Sequence, residues 1–133
     1  MGESVAEATG VVMSSENTTL VDEAGRSDEV TISGVGQPPD QVPIWIVKSG
    51  NDLYVRSYRG PTGRWYRRVR EAGQAMLGIG GRQLEVRVEP VGDHDQAAIN
   101  AAYVHKYGHY GPAYIGPMTS EDVVSTTLRL VPQ

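Results

Sequence analysis

The glycine pair Gly80-Gly81 stands between two segments whose apolar residues recur at every second position, which reads as an antiparallel hairpin closed by a two-residue turn. In the second segment Leu84, Val86 and Val88 alternate with Glu85, Arg87 and Glu89, so one face enters a core and the other meets water. The same period returns at 29–33, at 53–58 and in Val124, Thr126, Leu128 and Leu130. Residues 44–47 form a continuous apolar run, as expected of a strand covered on both sides, and Ser49-Gly50-Asn51-Asp52 supplies the turn back. Strands joined mostly by hairpins leave sheet edges that have to be hidden, and closing or folding the sheet hides them. The expected class is mainly β (α+β): a small antiparallel barrel of about six strands with two main helices acting as plugs.

Pro61 or Thr62 starts the first of these helices, Trp65 and Val69 lie one turn apart on it, and Gly73 ends it. Asp93, followed three positions later by Gln96, has the form of a capping box for the second, which runs to about Tyr107 with Ile99, Ala102 and Tyr103 on its buried stripe. Gly108, Gly111, Pro112, Gly116 and Pro117 then indicate a loop, and Ser120 caps a short turn. Toward the N-terminus, residues 34–41 read as a loop, and Asn17 or Thr18 caps a turn through Leu20 to Ala24. Residues 1–17 are expected to be a mobile acidic leader and residues 18–133 the folded domain.

At 133 residues the chain suits one core. It has no cysteine, which excludes disulfides, thiolate metal sites and a cysteine nucleophile. It also has no apolar run of about eighteen residues, so no membrane helix is expected. The first residues are acidic and lack the basic start and apolar stretch of a secretory signal, so the expected location is cytoplasmic. The net charge of −4 is unevenly spread: residues 1–40 hold eight acids against Arg26 alone (−7), and residues 41–133 hold eleven bases and eight acids (+3). That excess is small and comes with no recognition motif, so nucleic acid is not an expected partner.

Six of the twelve basic residues, Arg56, Arg59, Arg64, Arg67, Arg68 and Arg70, fall in one strand-loop-helix junction around Arg59-Gly60-Pro61-Thr62-Gly63. Backbone N–H groups at a helix start and guanidinium forks both favour phosphate or carboxylate oxygens, so this junction is the candidate site for a small anionic ligand. Arg56 and Arg59 rank first because they sit at a strand end beside Gly60, with Arg67 and Arg68 below them. Tyr54 and Tyr58 share the face of Arg56 and are placed to stack on a flat ligand. The competing reading is a solvated helix face with surface ion pairs.

Pro43-Ile44-Trp45-Ile46-Val47, Asp52-Leu53-Tyr54-Val55-Arg56-Ser57, Arg59-Gly60-Pro61, Trp65-Tyr66-Arg67, the Gly80-Gly81 hairpin, Lys106-Tyr107-Gly108 and the segment from Thr126 to Pro132 together resemble a family of small, uncharacterised, actinobacterial-type proteins known as a domain of unknown function. The similarity covers about residues 20–133. More distantly, the order of strand, Tyr54-Val55-Arg56-Ser57, loop and Trp65-Tyr66-Arg67 is similar to the deazaflavin-dependent nitroreductase and pyridoxamine-phosphate-oxidase-like split β-barrels. That resemblance implies a small antiparallel split β-barrel, a homodimer, and a flavin mononucleotide or deazaflavin whose acidic tail is held by basic residues after the second hairpin strand. The positions that match are Arg56, Ser57, Arg59, Trp65, Arg67 and Arg68. The chain departs from the nitroreductase pattern at residues 34–41, which carry no basic residue and only glycine, proline, valine, glutamine and aspartate in place of a threonine-and-glycine phosphate loop.

Two further readings belong to other classes. One is a cofactor-free barrel acting as a cyclase or isomerase on an organic acid or polyketide-like molecule, with Tyr54, Arg56, Tyr107 and His109 polarising it and moving protons. The other is a non-enzymatic interaction domain whose acidic leader docks on the arginine helix. His105 and His109 stand four apart, but Gly108 interrupts the helix between them and no acid lies nearby, so no metal site is expected.

Overall fold

A computed structural model describes residues 15–35 and 41–133. Among these residues seven strands form one antiparallel sheet: β1 (Val30–Ser33), β2 (Val42–Ile44), β3 (Val47–Ser49), β4 (Asp52–Val55), β5 (Gln74–Ile79), β6 (Arg82–Pro90) and β7 (Leu128–Pro132). Their order across the sheet is β2-β1-β5-β6-β7-β4-β3. β2 and β3 therefore stand at opposite edges, although only Trp45 and Ile46 separate them in the chain. Three peptide steps span at most roughly 10 Å, so the sheet has to curl until its edges meet. β2 pairs with β1 and β3 with β4, and no ladder joins the two edges, so the barrel is split along this seam. The apolar run 44–47, expected as one strand, is divided by the seam, and so seven strands form where about six were expected.

The helices are α1 (Ser15–Arg26), α2 (Arg64–Ala72), α3 (Gln96–Tyr107), α4 (Pro112–Met118) and α5 (Glu121–Val124), with 3₁₀ turns at Gly60–Thr62 and Gly108–Tyr110. Two cores result. In the first, Ile32, Leu53, Val55, Leu77, Val86 and Leu130 of the sheet pack against Leu20, Val21 and Ala24 of α1 and against Tyr66 and Val69 of α2. In the second, Val47 and Tyr54 pack under Ile99, Tyr103 and Tyr107 of α3, with Met118 and Val123. Both faces of β4 are thus buried. This corrects the expectation that the Tyr54 and Arg56 face looks out toward a ligand, since α3 covers it.

The glycines at element ends behave as read. Gly80 and Gly81 have φ of 55° and 84°, the paired positive values of a type I′ turn, and Gly73 closes α2 in the left-handed region with its N–H on Val69 O at 2.8 Å. Elsewhere tertiary packing overrides the local signals. α1 is a three-turn helix, with the expected boundary at 17/18 inside it, because burial of Leu20, Val21 and Ala24 sustains more helix than the local signal announces. α3 starts not from a capping box at Asp93 but after Asp95, which has a φ of 57°, and the Gln96 side chain donates to Gly92 O at 2.7 Å. The glycine- and proline-rich stretch after Tyr107 is a 3₁₀ turn and a helix, since Pro112 occupies a first-turn position where a missing N–H costs nothing. Residues 1–14 of the expected leader and 36–40 of the expected loop lie outside the described residues. No helix among the described residues is long and apolar enough to cross a membrane.

The seam is held by α3. Ile46 N–H donates to the Tyr107 phenol oxygen at 3.1 Å, and the phenol hydrogen lies between the carbonyls of Asp28 at 2.8 Å and Ile46 at 3.0 Å. Lys106 Nζ donates to the same Ile46 carbonyl at 2.6 Å. The Tyr107 ring stacks on Trp45, with centroids 4.0 Å apart and planes 2° from parallel, a pairing worth about 0.5–1.5 kcal/mol beyond burial. The two residues that cannot pair in a ladder therefore find partners on a helix.

Tyr107→Phe keeps the stacked ring but leaves the Ile46 N–H without its acceptor. Chemical denaturation should show a loss of about 1–3 kcal/mol, the cost of an unsatisfied buried group, and an unchanged midpoint would refute the latch. Burial lowers the Lys106 ammonium from its ordinary 10.5 to about 8. Between those values the unfolded chain binds the proton that the folded chain has released, so this residue makes stability rise with pH. The stability of the native chain minus that of Lys106→Met should therefore climb between about pH 8 and 10; a flat difference across that window would contradict the buried ammonium.

Candidate functional site

β4 ends at Val55, and the next residues turn into the junction that the sequence marks as basic. Arg56 is the largest fully buried side chain, at 2% exposure. Its Nε donates to Thr127 Oγ1 at 2.9 Å, Nη1 to Met118 O at 2.9 Å and Nη2 to Gln96 Oε1 at 2.8 Å. Its guanidinium also lies 4.9 Å from the centre of the Tyr103 ring. None of these partners is a carboxylate. Desolvation lowers the guanidinium's pKa from its ordinary value, with the Tyr103 phenol acting in the opposite direction. Taking a cation out of water costs several kcal/mol even after relaxation, and three bonds from a charged donor return about 1.5–3 kcal/mol each. The two are of similar size, and Arg56 is a buried positive charge that pairs with no carboxylate among the described residues.

A cleft of about 1060 Å³ opens beside it. One wall is the seam, with Pro43, Ile44 and Trp45; the other is the junction, with Ser57, Arg59 and Gly63 through Trp65; Tyr114 and Met118 of α4 complete it. Gly60 has a φ of 76°, a left-handed value natural to glycine, and its N–H bonds to Ser57 O at 2.8 Å to turn the chain. Gly63 has an ordinary φ of −60°, so space explains it: a Cβ there would overlap Ser57 Oγ. Ser57 is itself 1% exposed, and its Oγ has no hydrogen-bond partner among the described residues. An orphaned buried hydroxyl is uncommon and calls for an explanation.

That hydroxyl sits against the N-terminus of α2. The first bond of the helix runs from Arg67 N–H to Gly63 O at 3.1 Å, so the N–H groups of Arg64, Trp65 and Tyr66 come before any intrahelical bond. The arrangement offers a hydroxyl, helix-end N–H groups and the exposed guanidiniums of Arg59 and Arg64 at one end of a cleft walled by Trp45 and Trp65. Helix-end N–H groups and guanidiniums favour anionic oxygens, and aromatic walls favour flat rings.

Of the residues read from the sequence, the cleft gathers Arg56, Ser57, Arg59 and Trp65, together with Tyr58. Arg67 and Arg68 lie on the exposed face of α2 and do not line it. Tyr54 is buried in the second core, its phenol pKa raised first by desolvation and then by Asp52. Tyr107 is fully buried behind Trp45, its hydroxyl engaged at the seam and its pKa raised by burial. His109 is exposed on the 3₁₀ turn, its ring 4.2 Å from that of Tyr110.

Trp45, Glu29 and Tyr114 line the cleft without having been read as ligand contacts, and Arg64 of the basic junction joins them. The supports of Arg56, namely Gln96, Thr127 and the Met118 carbonyl, stand 40, 71 and 62 positions away, and no local pattern could announce them. Thr126 and Thr127 each serve twice. Their hydroxyls donate to Val123 O and Val124 O at 2.6 Å and accept from Ser57 N–H and Arg56 Nε at 2.9 Å.

Compared with known proteins, residues 21–130 match the model of a family described as an uncharacterized protein conserved in bacteria (DUF2255). Among solved structures the chain is similar to a "putative 5-nitroimidazole antibiotic resistance protein" from Bacteroides thetaiotaomicron, with a TM-score of 0.53 and 13% identity over 92% of this chain and 82% of that one. At that identity the likeness concerns the fold. No curated protein matches the chain in sequence. With a family match running from the middle of α1 to the end strand, the chain belongs to the bacterial DUF2255 family.

Proposed function

We propose that the cleft binds a flat aromatic molecule with an anionic end, of the flavin mononucleotide or deazaflavin type, and that the chain is an oxidoreductase-like enzyme of the cytoplasm. The observation that carries this reading is the orphaned Ser57 hydroxyl at the start of α2, beside the uncompensated charge of Arg56. An anionic oxygen in the cleft would give the hydroxyl a partner and the guanidinium a counter-charge.

The residues present fit such a group. Ser57 Oγ and the N–H groups of Arg64 and Trp65 would hold its anionic oxygens, with Arg59 and Arg64 neutralising charge from the rim. Trp45 and Trp65 would flank its ring. Arg56 acts from below the surface, through its field and by fixing Met118 in the cleft wall. A bound flavin or deazaflavin would supply hydride chemistry, while the chain contributes binding and orientation. Among the described lining residues Glu29 is the only carboxylate and there is no histidine, so acid–base chemistry by the chain alone has little to work with. Of the four residues the cofactor-free alternative would use, Tyr54 and Tyr107 are buried in the second core and His109 does not line the cleft, which leaves Arg56.

Titration with flavin mononucleotide and with a deazaflavin should show saturable binding of at least one, weakened about tenfold or more in the Arg59→Ala/Arg64→Ala double variant. Absence of binding of either at high micromolar concentration would reject the proposal. Ser57→Ala removes a buried hydroxyl with no partner among the described residues, so stability should hold or rise by up to about 1 kcal/mol while ligand affinity falls. A clear loss of stability would show instead that the hydroxyl is structural.

A further inference from the structure

Glu29 is the single carboxylate among the described residues that line a cleft holding Arg56, Arg59 and Arg64, and it pairs with none of them. It precedes β1, which pairs with β2 on one side of the seam, while Arg56 follows β4, which pairs with β3 on the other. Glu29, Trp45 and Arg56 line the same cleft, so the acid and the base enter it from opposite edges of the split sheet. Arg59 and Arg64 follow from the Arg56 side, and nothing cationic follows Glu29 on its own side until the chain leaves the cleft lining.

The exposed Glu29 carboxylate makes no ion pair among the described residues and is open to a donor on a bound molecule. For an anionic ligand Glu29 is repulsive, so its presence in this cleft has to be answered by the ligand's other end.

We infer that the cleft is bipolar and selects aromatic anions that also carry an N–H or O–H donor on the edge away from the anionic group, with Glu29 as the acceptor. The inference rests on the aromatic-anion reading above and narrows its ligand class. Glu29 is exposed and bonds to nothing else among the described residues, so its replacement leaves the fold intact.

Calorimetric titration of 2-naphthoate and 6-hydroxy-2-naphthoate into the native chain and into Glu29→Ala tests it. The hydroxylated compound should bind the native chain about tenfold more tightly, the size of one charge-assisted hydrogen bond at a solvent-open site. In Glu29→Ala that preference should vanish, and 2-naphthoate should bind at least as well as before because a repulsive charge is gone. Equal affinities in the native chain, or a preference that survives in Glu29→Ala, would overturn the bipolar cleft and leave the aromatic-anion reading standing. Failure of both compounds to bind at millimolar concentration would overturn the bipolar cleft, and failure of the flavin and deazaflavin titrations as well would overturn the aromatic-anion reading with it.

Discussion

Two residues, Trp45 and Ile46, have to carry the chain from one edge of a seven-stranded sheet to the other, and much of the molecule follows from that short connection. Connected so closely, the edges cannot lie flat and cannot pair by a ladder where they meet. The unpaired Ile46 amide and carbonyl are satisfied instead by Tyr107 and Lys106 of α3, which binds that helix to the outside of the barrel. The same contact decides where Trp45 goes: stacked against Tyr107 on one face, it turns the seam into a wall of the cleft. A constraint of chain closure thereby becomes a feature of the candidate site.

Arg56 links the second core to that site. It gathers a carbonyl at the end of α4, an amide at the start of α3 and a hydroxyl before β7, so three separate elements converge on one buried guanidinium. Desolvation and hydrogen bonding nearly cancel there, which is why its stabilising role is small compared with its electrostatic one. By contrast, the ion pairs on the outer face of the sheet, such as Arg87 with Glu89, are partly exposed and contribute little each. Arg87 and Arg129 thus meet carboxylates at the surface, whereas Arg56 under the cleft meets none among the described residues.

Reading the sequence worked best where backbone geometry admits few residue types. Gly80-Gly81 and Gly73 occupy left-handed conformations that side chains avoid, and the turn and helix end they mark are where they were expected. It failed where a side chain had two possible partners. Gln96 satisfies a capping pattern with Asp93, yet its amide is taken by Gly92, Arg56 and Thr127, a competition that only the folded chain can set up. By sequence Tyr107 is a candidate for moving protons on a ligand, but its hydroxyl is engaged by the backbone of Asp28 and Ile46 at the seam.

By itself, then, the sequence determined that this chain makes hairpin-linked strands around an apolar interior, where its tight turns fall, and that its arginines concentrate after one strand, because these depend on periodicity and on local steric limits. Only the tertiary structure decided which of those arginines loses its water, which serine is left without a partner and which aromatic rings face the cleft. Those outcomes depend on side chains brought together from 40 to 71 positions apart, and no local pattern encodes such a distance.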